Sequence, residues 1–139
     1  RFKPSSDQEL RQILEQSEHN TSDFLSESEI LENLIFISNG SPGKLVDNVQ
    51  MWNQIPKNIK NDIKYPLKNY ENILFLAKDI TSQLDLNHQE FLLTFMQRDW
   101  WKKTKNKKIA EILEGIKNNI NSNIQPRISW EVGLLKVKL

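Results

Sequence analysis

Apolar residues recur along this chain in short blocks at helical spacing, each preceded by residues suited to starting a helix. Ser6-Asp7-Gln8-Glu9 has the spacing of a capping box, and Leu10, Ile13 and Leu14 then share one helical face. Residues 17–25 are polar and read as a loop. Ser26-Glu27-Ser28-Glu29 repeats the capping pattern ahead of Ile30, Leu31, Leu34, Ile35 and Ile37. Gly40-Ser41-Pro42-Gly43 then reads as one helix stopping and another starting at a sharp corner. Gly40 accepts the left-handed conformation, Ser41 can cap, and Pro42 suits a first turn, where an N–H has no helical partner. Gly43 adds no side chain there, which leaves the backbone N–H groups open to a partner chain or an anion. Leu45, Val46, Val49 and Trp52 carry the third helix on to a stop before Pro56.

Beyond Pro56 the pattern changes. The polar, lysine-rich stretch to Pro66 has room for a short helix at most. After Pro66, Leu67, Tyr70, Leu74, Ala77 and Ile80 predict a longer helix, and Asn87 is the expected cap of the next, with Phe91, Leu92, Phe95, Met96 and Trp100. Ile109, Ile112, Leu113, Ile116 and Ile120 mark a further helix, and a last one starts near Pro126. That last helix is apolar on more than one side, a pattern expected of burial between neighbours or at a subunit contact. Val132 to Leu139 also admits a strand, but no other segment offers it a partner. The chain is therefore expected to be all-α, with a small three-helix bundle at residues 1–54 and a second helical unit at residues 55–139.

Composition narrows the classes. The 139 residues are 37% apolar and 27% charged, within the range of globular domains, and 4 Gly and 5 Pro are too few for a turn-rich β fold. No window holds the roughly 18 apolar residues of a bilayer span. The absence of Cys excludes disulfides and thiolate chemistry and fits a reducing compartment. Charge is uneven: residues 1–50 hold 4 Lys/Arg and 9 Asp/Glu, residues 51–139 hold 15 and 9, so the sign changes from −5 to +6. The opening Arg1-Phe2-Lys3-Pro4, without Met, reads as a cut within a longer protein.

Catalytic chemistry finds no support. The histidines, His19 and His88, sit in polar settings without a His or carboxylate at metal-ligand spacing on an apolar helix, no Ser sits in a Gly-x-Ser-x-Gly setting, and Gly40-Ser41-Pro42-Gly43-Lys44 lacks the gap and trailing Ser/Thr of a phosphate-binding loop. No catalytic residue, metal site, cofactor, small-molecule substrate or membrane contact is expected. One stretch hints at nucleic acid. Trp100 and Trp101, followed by Lys102, Lys103, Lys105, Lys107 and Lys108, combine stacking surfaces with phosphate-neutralising charge. Trp101, Lys102, Lys103, Lys107 and Lys108 are the candidate contacts, against the alternative of a core-anchoring Trp and a solvated link.

Three passages together resemble the C-terminal lid and collar region of the DNA polymerase III delta-prime subunits of the clamp-loader family. They are Arg1-Phe2-Lys3-Pro4 with the helix after it, the corner Asn39-Gly40-Ser41-Pro42-Gly43, and Asn123-Ile124-Gln125-Pro126-Arg127 with Trp130-Glu131-Val132-Gly133-Leu134-Leu135. The resemblance implies that residues 1–54 are a helical lid following an absent nucleotide-binding domain, and residues 55–139 a collar. In ATP-using relatives an Arg stands three residues after the corner Gly; here Gly43 holds that place, and Lys44 points about 100° away around a helix. The implied role is a non-catalytic scaffold, a fairly rigid stator that holds clamp-loader subunits in a hetero-oligomeric ring for loading the sliding clamp during DNA replication, with DNA met only indirectly. The sensor-2 corner Gly40, Ser41, Pro42 and Gly43 would shape the lid. Ile128, Trp130, Leu134 and Leu135 are candidates for core or collar contacts. Two alternatives are a free-standing module binding single-stranded nucleic acid through Trp100–Lys108, and the tail of an ATP-using clamp-loader relative.

Overall fold

A computed structural model of the chain describes residues 27–138, with the side chain of Glu27 excepted. The Ser6 capping box, its helix, the polar loop and the Ser26 cap lie outside the described residues. Among those described, seven helices and no strand are found: α1 (Glu27–Ile37), α2 (Pro42–Asn53), α3 (Lys57–Asp62), α4 (Tyr70–Gln83), α5 (Leu86–Thr104), α6 (Lys107–Asn121) and α7 (Pro126–Lys138). The chain is all-α there, and Val132 to Lys138 is helix rather than strand.

Local chemistry explains most boundaries. α1 turns Ile30, Leu31 and Leu34 inward and leaves Phe36 55% exposed, because four consecutive apolar residues, 34–37, overrun one helical face. The Ser38 hydroxyl donates to the Leu34 carbonyl at 2.6 Å as the helix ends. Asn39 (φ 51°) and Gly40 (φ 77°) then both take the left-handed conformation, so the stop is shared between two residues. Ser41 Oγ accepts the Lys44 N–H at 3.2 Å, and Pro42 opens α2. Asn48 braces the corner by donating to Ser38 Oγ at 2.8 Å.

Two expectations need correction. The helix after Pro66 begins at Tyr70, capped by Asn69, and its buried stripe is Ile73, Leu76, Ala77 and Ile80. Tyr70 is exposed and Leu74 half-buried. Ile73 and Leu76 complete an i, i+3, i+4, i+7 row with Ala77 and Ile80, and a helix buries the most continuous row it has. Asp85, rather than Asn87, caps α5 and accepts the His88 N–H at 2.8 Å. That backbone bond, with a second from the His88 ring, holds the Asp85 carboxyl below its ordinary range.

α5 is the central helix, packing against α1, α2 and α6. Trp52 of α2 stacks on Phe95 of α5 with ring centroids 4.4 Å apart. Trp100 is fully buried, and its Nε1 donates to the Ile63 carbonyl at 2.7 Å. Trp130 of α7 is also fully buried and donates to Gln89 Oε1 at 2.9 Å, while Gln89 donates to the Leu84 carbonyl. α7 lies close on α6 at Gly133, where a Cβ would stand 2.3 Å from the Ile116 side chain. The apolar core runs unbroken from Ile30 to Leu134 and so crosses residue 54.

Candidate assembly surface

The corner that drew attention in the sequence is formed as its residue types require, yet it holds no charged side chain aimed at a ligand. Gly43 is exposed with open space around it, and Lys44 is exposed. At the helix start the Lys44 N–H is already taken by Ser41, and Gly43 adds no side-chain charge.

α7 divides the four residues proposed on it. Trp130 and Leu134, one turn apart, are consumed by the chain's own core, and Leu135 packs partly against it. Ile128 is 50% exposed, and Val132, one turn further on, is 46% exposed. Ile124, just before the helix, is exposed as well. Beside Val132, α6 and α7 leave a groove of about 310 Å³ lined by Ile112, Gly115, Lys108 and Lys136 among others. The apolar residues of α7 that face outward are therefore Ile128 and Val132, and the helical period separates them from Trp130 and Leu134.

The lysine-rich stretch is dispersed by the fold. Lys102 donates to Glu32 Oε1 at 2.5 Å and to Asn33 Oδ1 at 2.9 Å. This bond holds the Glu32 carboxyl below its ordinary range. Lys103 is paired to Asp99 at 2.8 Å and also donates to the Lys64 carbonyl. Asn33 completes the set by donating to Asp99 at 3.1 Å, so a buried polar network ties α5 to α1 and to the segment after α3. Lys108 faces the α6–α7 groove, whereas Lys107 is exposed one turn before Ala110. Trp101 remains 38% exposed, with Lys105 Nζ 5.6 Å from its ring centroid.

A second groove, of about 350 Å³, opens between the end of α1, α5 and α6, and the sequence reading missed it. Phe36 and Trp101 line it with Arg98, whose guanidinium carbon lies 3.7 Å from the Phe36 ring centroid. The available signal was the run Leu34 to Ile37, which is too long for one buried face. Arg98 carried none.

Catalytic geometry does not assemble among the described residues. His88 bonds Asp85 Oδ1, its own helix cap, through Nδ1 at 2.7 Å and Gln54 Oε1 through Nε2 at 2.5 Å, so both ring nitrogens are engaged and the second ties α5's start to the end of α2. His19 lies outside the described residues. No group of three His, Cys, Asp or Glu able to hold a metal is found among those described.

Residues 8–137 of this helical chain match the family model described as the cyanobacterial DNA polymerase III delta prime C-terminal domain. The chain belongs to that family. No curated protein and no solved structure matches it. As a delta-prime C-terminal domain it is a part of the polymerase III complex, and the family implies association with other subunits of that complex. No helix among the described residues is long and apolar enough to cross a membrane.

Proposed function

We infer that this delta-prime C-terminal domain is a non-catalytic scaffold of the clamp loader, holding subunits in the ring that loads the sliding clamp for DNA replication in the cytoplasm. The observation that carries the reading is the family match across nearly the whole chain. Residues 1–54 act as the lid and residues 55–139 as the collar, with Gly40 to Gly43 forming the turn between two lid helices. Gly43, where ATP-using relatives place an Arg, supplies no guanidinium to a nucleotide, so phosphate contact is left to other subunits. Ile128 and Val132 belong to the surface that meets a neighbour, since they are apolar, one turn apart and unburied by this chain. Contact with DNA is indirect, through the assembly.

Reconstitution with purified clamp-loader subunits of the same organism tests this. The chain is expected to co-elute with them as a stoichiometric complex. Ile128→Glu with Val132→Glu should weaken complex formation at least tenfold while leaving the helical circular dichroism unchanged. Failure of the unaltered chain to join the complex would refute the reading.

A further inference from the structure

We propose that the groove lined by Phe36, Arg98 and Trp101 is a docking site for an acidic amphipathic helix of a neighbouring clamp-loader subunit. This proposal rests on the scaffold reading for the identity of the neighbour, but its evidence is separate, since no lining residue of this groove belongs to α7.

The first support is the residue set. Phe36 is 55% exposed and Trp101 38% exposed, while Trp52, Trp100 and Trp130 are at most 1% exposed. Large aromatic side chains and Arg gathered around a concavity are the composition of an interface hot spot. The second support is shape. Three helices, α1, α5 and α6, border a groove of about 350 Å³ with Thr94, Gln97 and Ala110 on its walls. A groove between helices receives the apolar stripe of another helix.

Charge then selects the occupant. The carboxylates near the groove are already matched: Glu32 by Lys102, and Glu114 by Gln97 and by Lys117 at 3.5 Å. Arg98 Nε is buried without a hydrogen-bond partner. Lys105 stands over Trp101, and Lys107 is exposed one turn before Ala110. Arg98 shares the field of the Glu32 carboxylate, whereas Lys105 and Lys107 are exposed, so the charge this groove shows to solvent is mainly cationic and favours a partner that brings carboxylates. Arg98 and Lys105 beside the two rings, with Lys107 exposed one turn before Ala110, fit a helix with one or two carboxylates beside an apolar anchor. A polynucleotide would instead need several phosphates neutralised together, and Lys102 and Lys103 are already committed elsewhere.

Trp101 supplies its own reporter, because the other three tryptophans are buried. Iodide quenching of the free chain should reach a fluorescence fraction that disappears in Trp101→Phe. In the complex reconstituted with the other clamp-loader subunits, that fraction should become shielded. Arg98→Gln and Phe36→Ala should each weaken complex formation at least tenfold without lowering the thermal midpoint, and Arg98→Lys should retain part of the binding. Shielding of Trp101 by the oligonucleotide (dT)20 alone would overturn the proposal in favour of nucleic acid. So would a complex that forms with Trp101 still fully quenchable, an outcome that leaves the scaffold reading standing. If no complex forms, both fail together.

Discussion

Gly133 shows how much a single position can decide. Its missing Cβ lets α7 settle on α6 against Ile116, and an added methyl would overlap both Cγ1 and Cδ1 of that side chain at 2.3 Å. Gly133→Ala should therefore destabilise by about 1–3 kcal/mol despite the higher helix propensity of Ala. Ile116→Ala removes the clashing atoms, so the double variant should lose less stability than the two single losses combined, a coupling that urea denaturation of all four proteins measures. Asp62 offers a second test at this scale. Partial burial lifts its carboxyl above the ordinary value, and the Asp79 charge adds to the rise. A raised acid favours the folded state below the unfolded value, near about 3.9, and loses that contribution as pH rises through the folded value. Asp62→Asn should thus be more stable than the unaltered chain at pH 7 and match it near pH 3, as read from thermal midpoints across that range.

Among the elements, α5 does the most to join the molecule. Its inner face carries Leu92, Phe95, Met96 and Trp100, and its last turns carry Asp99, Lys102 and Lys103 into the polar network with α1. Asp99 is almost wholly buried between Asn33 and Lys103, so Asp99→Ala strands a cation and an amide at once. The expected loss is about 3–5 kcal/mol, measured by the urea midpoint. Sequence periodicity could find α5 but not this network, because Asn33 and Asp99 stand 66 residues apart. The same limit applies to the candidate nucleic-acid contacts. Adjacent lysines read as one basic patch, whereas a helix sends Lys102 and Lys103 in directions about 100° apart, each to a different internal partner.

At the scale of the whole molecule, the continuous core from Ile30 to Leu134 makes the described residues before and after residue 54 cohere. The Trp52–Phe95 stack and the Asn33–Asp99 bond both span residue 54. Unfolding should consequently be a single transition, with far-ultraviolet circular dichroism and tryptophan fluorescence superimposing along the denaturant axis. Two separated transitions would show that the regions hold together more weakly than their packing indicates.

Within residues 27–138 the sequence by itself determined the helices, the Gly40–Pro42 corner and the all-α class, because periodicity, capping and glycine or proline punctuation act within a few residues. It also carried the family likeness. Tertiary packing alone decided which apolar residues stay outside. Tyr70 and Leu74 gave way to Ile73 and Leu76, Trp130 and Leu134 went to the core, and Ile128, Val132, Phe36 and Trp101 were left to solvent. Burial is a competition among faces for a limited interior, and its outcome depends on neighbours that are distant along the chain.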